Sequence, residues 1–131
     1  MKKIYTGKTK DLYLLENENL LLKFKDDVTG EDGIFNPGGN KVALQIKGMG
    51  HANVLVSNFF MELLERKGIK THLISYNSLR NEMEVKNCQV FGKGLEVIFR
   101  NYAYGSFLNR YSLYAEEMMA LDNYVEFTLK D

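Results

Sequence analysis

The sequence has no tryptophan, one cysteine, one proline and no excess of charge of either sign. A single cysteine, Cys88, excludes an internal disulfide and fits a reducing compartment. The only histidines, His51 and His72, are far apart and leave no ligand spacing for a zinc site. Seventeen Lys and Arg balance seventeen Asp and Glu, whereas proteins that track nucleic-acid phosphates carry surplus positive charge. That balance argues against a nucleic-acid partner, but not against a small anionic ligand, which needs only a few well-placed cations. No run approaches the roughly 18 apolar residues of a membrane helix, and no apolar stretch follows the opening lysines as in a secretory signal. The chain reads as cytoplasmic, with no membrane partner. No Ser, Cys or His arrangement supports an acyl-enzyme route, so no catalytic residue and no metal ligand is assigned.

What is present suits a folded domain: 131 residues, 45% of them hydrophobic, are enough for one modest core. Residues 3–25 read as three antiparallel strands, the last two joined by the polar turn Glu16-Asn17-Glu18-Asn19. Asp26 to Gly50 is rich in glycine and holds Pro37; it reads as a long loop with one helical turn near Val42 to Ile46. Leu55, Phe59, Leu63 and Leu64 recur at helical spacing, predicting a helix from His51 to Arg66 that Gly68 stops. Strands follow at Ile69–Ser75, Glu82–Val90 and Leu95–Asn101, with Gly92-Lys93-Gly94 as the last turn between them. Ser106 to Tyr114 reads as a short helix with Ser106 as its N-cap, and Tyr124 to Leu129 alternates like a final strand. The fold class is α+β: an antiparallel sheet with one long helix packed on it.

Four segments could carry chemistry. Gly7-Lys8-Thr9-Lys10 lies between strands, where a glycine lets the backbone approach a phosphate and two lysines at i and i+2 add charge. A solvated turn with two snorkelling lysines accounts for the same residues, and the spacing is not a Walker A loop. Asp26-Asp27, Glu31 and Asp32-Gly33 gather four carboxylates that could hold Mg²⁺ or meet a cationic substrate group, or simply form an acidic surface loop. Lys41, Lys47-Gly48 and His51 flank the start of the long helix, where backbone amides receive an anion or a cap. In the fourth segment the strand Val97-Ile98-Phe99 ends in Arg100, and Ser106 follows a small-residue turn. Arginine grips carboxylate or phosphate with two prongs, and serine adds a hydroxyl donor. Arg110 lies four residues on, on the same helix face as Ser106; a surface ion pair at a strand end is the plainer alternative.

In order, these segments resemble the SAICAR synthase (phosphoribosylaminoimidazole-succinocarboxamide synthase) family. The resemblance runs through Tyr5-Thr6-Gly7-Lys8-Thr9-Lys10 with Leu12-Tyr13, Phe24-Lys25-Asp26-Asp27 with Asp32-Gly33, and Lys47-Gly48. It continues through Leu64-Glu65-Arg66-Lys67-Gly68-Ile69-Lys70-Thr71-His72, Arg100-Asn101 to Gly105-Ser106, and Glu126-Phe127-Thr128-Leu129-Lys130-Asp131. It implies an ATP- and Mg²⁺-dependent ligase that joins L-aspartate to carboxyaminoimidazole ribonucleotide, of which this chain is the amino-terminal ATP-binding lobe. That lobe is similar to the small lobe of a protein kinase. By the same likeness Lys8, Lys10 and Lys86 would face ATP, and Asp32, Arg100, Ser106 and Lys130 the imidazole nucleotide or aspartate; Arg110, from its spacing to Ser106, is a further substrate-binding candidate. The family continues into a larger helical domain carrying the acidic metal ligands. The isolated chain is therefore expected to lack activity, or to act with a second domain or as a homo-oligomer. A non-catalytic nucleotide-binding or self-associating module of the same fold is the alternative. The chain departs from the family pattern at Gly50-His51-Ala52-Asn53, where two adjacent asparagines are common, and at Tyr102 and Tyr104, where small residues are usual. The stretch from Ile34 to Val42 is also longer than usual.

Overall fold

A computed structural model describes residues 1–36, 39 and 41–129. The chain divides into two compact units, Met1–Cys88 and Gln89–Asp131.

The first unit opens with β1 (Lys2–Thr6), β2 (Lys10–Leu14) and β3 (Leu20–Phe24), the antiparallel trio expected from the sequence. Where a loop with a helical turn was expected, the chain forms β4 (Asp27–Glu31), β5 (Ile34–Phe35) and β6 (Lys41–Gln45), a small antiparallel sheet in the order β5-β4-β6. Its tight corner is Asp32-Gly33, both with positive φ (50° and 76°), between the paired residues Glu31 and Ile34. Two such residues make the two-residue hairpin turn that Asp-Gly favours. The register needs glycine at position 30 too: a Cβ there would lie 1.9 Å from the Ile34 carbonyl oxygen and 2.8 Å from the Ala43 Cβ.

Helix α1 (Met49–Arg66) follows, then β7 (Leu73–Asn77), one 3₁₀ turn (Ser78–Arg80) and β8 (Glu82–Val85). The expected strand to Val90 ends five residues early, and β7 starts four residues later than expected. The larger sheet has the order β1-β2-β3-β8-β7 and is antiparallel throughout. The face of α1 that is buried is Gly50, Val54 and Asn58, one residue out of phase with the Leu55-Phe59-Leu63 series. Val54 meets Phe24, Met83 and Val85 in the core, with Leu20, Leu22, Met61 and Leu73 packed around them. Leu55, Phe59 and Phe60 stay about half exposed. The helix start is fastened by Asp26, whose carboxylate accepts the Gly48 and Gly50 N–H groups at 3.1 and 2.8 Å, while its carbonyl accepts Ile46 N–H at 2.9 Å. A carboxylate from the link between β3 and β4 thus satisfies orphan helix donors.

The second unit contains β9 (Leu95–Tyr102), α2 (Ser106–Tyr111) and β10 (Ala120–Leu129). β9 and β10 form a two-stranded antiparallel ribbon, so among the described residues the antiparallel architecture comprises three sheets rather than one. Gly105, not Ser106, occupies the N-cap of α2; Ser106 is its first residue, and the helix ends at Tyr111 rather than Tyr114. Ala103, Phe107 and Ala115 form a small core with Leu108, Leu121 and Tyr124. No helix among the described residues is long and apolar enough to cross a membrane.

Candidate functional site

The residues predicted to carry chemistry fall into both units. In the second, Arg100 lies near the end of β9 and faces α2, because its cross-strand partner Tyr124 packs edge-on against Phe107 with ring centres 5.3 Å apart. Each of its three nitrogens has a partner. Nε donates to Glu126 Oε1 at 2.8 Å, Nη1 to the Tyr104 carbonyl at 3.2 Å, and Nη2 to Ser106 Oγ at 3.2 Å. The plane also sits over the Phe107 ring, 5.6 Å from its centre. From the next turn of α2, Arg110 Nη2 donates to both oxygens of Glu126 at 2.7 Å.

Glu126 was not among the residues singled out from the sequence. It is 8% exposed and joins the two arginines. Burial pushes its carboxyl up, but the bonds from Arg110 and Arg100 outweigh that and hold it below the ordinary glutamate range. The same bond, chiefly, raises Arg110. Among the described residues the cluster has two cations for one anion. Ser106 uses an oxygen lone pair on Arg100, which leaves its hydroxyl proton able to donate elsewhere. An external oxyanion would meet the remaining positive charge and that hydroxyl. The expected trio of Arg100, Ser106 and Arg110 is therefore brought together, with Glu126 as the link. Lys130, the remaining candidate in this unit, lies outside the described residues, as does Pro37 in the first unit.

In the first unit the Gly7 N–H donates to the Lys10 carbonyl at 2.9 Å and closes the turn between β1 and β2. Lys8 is exposed at the bend. Lys10 begins β2, and its ammonium lies 5.3 Å from the centre of the Phe24 ring. Lys86 is not on a strand but directly after β8, its N–H bonded to the His72 carbonyl at 2.8 Å. Its exposed side chain borders an open cavity of about 460 Å³ shared with Glu65, Lys70 and Thr71. Asp32 is exposed in the β4–β5 turn.

The acidic cluster does not fit a magnesium site. Asp26 is committed to the α1 start. Asp27 pairs with Lys25 at 2.6 Å and accepts from Gln45 at 2.7 Å, contacts that together lower its carboxyl, with Lys25 the larger cause. Among the described residues no three His, Cys, Asp or Glu are placed to hold a metal. At the α1 start the Gly48 and Gly50 N–H groups are likewise taken by Asp26, and that of Met49 by the Ile46 carbonyl. His51 is exposed, and its Nδ1 lies 2.9 Å from the Ser78 carbonyl oxygen.

The SAICAR synthetase family model matches residues 3–131. The chain belongs to that family. It is 52% identical over 131 residues to the phosphoribosylaminoimidazole-succinocarboxamide synthase of Clostridium tetani, covering 100% of this chain and 58% of that protein. Among solved structures, a SAICAR synthetase in complex with ADP superposes with a TM-score of 0.76 at 32% identity, covering 95% of this chain and 49% of the other. The enzyme from Ehrlichia chaffeensis superposes with a TM-score of 0.73 at 34% identity, covering 96% and 49%. The chain thus spans about half the length of the relatives it matches.

Proposed function

We propose that this chain supplies the amino-terminal, ATP-binding part of a SAICAR synthase acting in the cytoplasm. The full reaction joins L-aspartate to carboxyaminoimidazole ribonucleotide. The nucleotide's carboxylate oxygen attacks the γ-phosphorus of ATP and ADP leaves; the aspartate amine then attacks the acyl carbon, losing a proton as phosphate departs. The structural observation that carries the reading is the convergence of Arg100, Ser106 and Arg110 in a member of this family, an arrangement suited to a carboxylate or phosphate of the substrates. Lys8 and Lys10, on a glycine turn, would stabilise charge on the ATP phosphates as the γ-group transfers. Lys86 would also face ATP, and Asp32 and Lys130 the imidazole nucleotide or aspartate. Mg²⁺ would be held by the phosphates and by carboxylates outside this chain, since no three metal-ligating side chains converge among the described residues. In this reading the five-stranded antiparallel sheet and the long helix would cover ATP as the small lobe of a protein kinase does.

Two measurements test the reading. Calorimetric titration with Mg-ATP should give a binding isotherm that Lys8→Ala with Lys10→Ala weakens. The chain alone should form no amide, whereas mixing it with the carboxy-terminal half of the Clostridium tetani relative should restore aspartate-dependent ADP release. No ADP release from the mixture, with both halves folded and associated, would count against the assignment.

A further inference from the structure

We propose that Glu126 is a positioning residue: its buried carboxylate fixes the Arg100 and Arg110 guanidiniums so that, with the Ser106 hydroxyl, they receive a substrate oxyanion. This rests on the reading of Arg100, Ser106 and Arg110 as an anion site. Two guanidiniums repel each other, and a carboxylate between them allows both to occupy one small site. Glu126 does so from 8% exposure, with Arg110 bridging both oxygens and Arg100 held through Nε. Arg100 is further anchored on the Tyr104 carbonyl and over Phe107. The fork is thus ordered before a ligand arrives, and the entropy of immobilising long side chains is met during folding rather than binding. The position is reached from β10, 26 residues along the chain from Arg100.

A carboxylate that only neutralised the arginines would behave differently. Removing its charge would then strengthen the attraction for an anion, whereas loss of positioning weakens binding despite the added positive charge. The opposite signs make the test. The protein is titrated with ribose 5-phosphate and, separately, L-aspartate, following the arginine Nε–H resonances by NMR and checking each variant by thermal melting. The two arms tell a phosphate from a carboxylate source. In the wild type the Arg100 Nε–H signal should be sharp before any probe is added; an exchange-averaged signal would overturn the proposal. Arg100→Met should abolish the response to the bound probe. Glu126→Gln and Glu126→Asp should each weaken it about tenfold. Should Glu126→Gln fail to fold, Glu126→Asp decides alone, because it keeps the charge and shortens the reach. Affinity unchanged or tightened in either folded variant, with Arg100→Met still inactive, overturns the role of Glu126 and leaves the anion site standing. If Arg100→Met binds like the wild type, or the wild type binds neither probe, both fall.

Discussion

Asp26 reaches the start of α1 from the link after β3, and its two oxygens take N–H groups that the helix cannot pair internally. In the sequence it is one of four nearby acids, and nothing local separates a helix cap from a metal ligand. Its N–H donors lie 22 and 24 residues away, so the difference emerges only when the chain folds. Asp26→Ala should lower stability by about 1 kcal/mol, within the usual range for a lost cap, while Asp26→Asn, which retains an acceptor, should lose less. Urea denaturation followed by circular dichroism checks this, and equal midpoints for wild type and Asp26→Ala would remove the capping role. Glu126 was hidden for a related reason. Tyr124 to Leu129 alternates, and the usual expectation puts Val125, Phe127 and Leu129 inside. The structure reverses the faces: Phe127 is 66% exposed and Glu126 is buried. Arg100 and Ser106 were legible because their side-chain chemistry and short separation point to one place.

The elements read best were those whose side chains announce their period. The apolar runs of β2 and β3 around a polar turn identified a hairpin, and the spacing in α1 identified a long helix, although not which stripe it buries. The β4-β5-β6 sheet was missed because Val28 alternates with Gly30, and a buried glycine shows no hydrophobic signal. The Asp32-Gly33 pair was the signal available, since Asp-Gly between extended segments marks a two-residue hairpin; reading its carboxylate as a ligand obscured its backbone role. Gly30 tests this sheet as a unit. A methyl group there meets the Ile34 carbonyl oxygen, a backbone atom that cannot swing aside. Gly30→Ala should destabilise the protein by about 1–3 kcal/mol, with amide exchange accelerating first across residues 27–31 and 41–45. Uniform acceleration through β1, β2 and β3, without that local effect, would show that the small sheet does not open separately.

Across the whole molecule, large apolar side chains are exposed in both units. On the β9–β10 ribbon Leu95 pairs with Leu129, Val97 with Phe127 and Phe99 with Val125. These pairs share one face, and each of the six residues is at least 48% exposed. In the first unit Val56, Phe59 and Phe60 on α1 are each 55% exposed. Soluble monomers seldom present contiguous apolar faces of this kind, and water contact with them costs about 25 cal/mol for each Å² left uncovered. Relatives about twice as long have further chain available to cover such a face. The isolated 131-residue chain should therefore bind a hydrophobic dye strongly and sediment above the monomer mass as its concentration rises. Phe127→Lys with Val97→Lys should suppress both effects while leaving the Arg100–Glu126 side of the ribbon intact, because residues 97 and 127 point away from it. Adding the carboxy-terminal half of a relative should lower dye binding in the wild type more than in the double lysine variant. A monomer that excludes the dye at high concentration would mean that the ribbon face tolerates water.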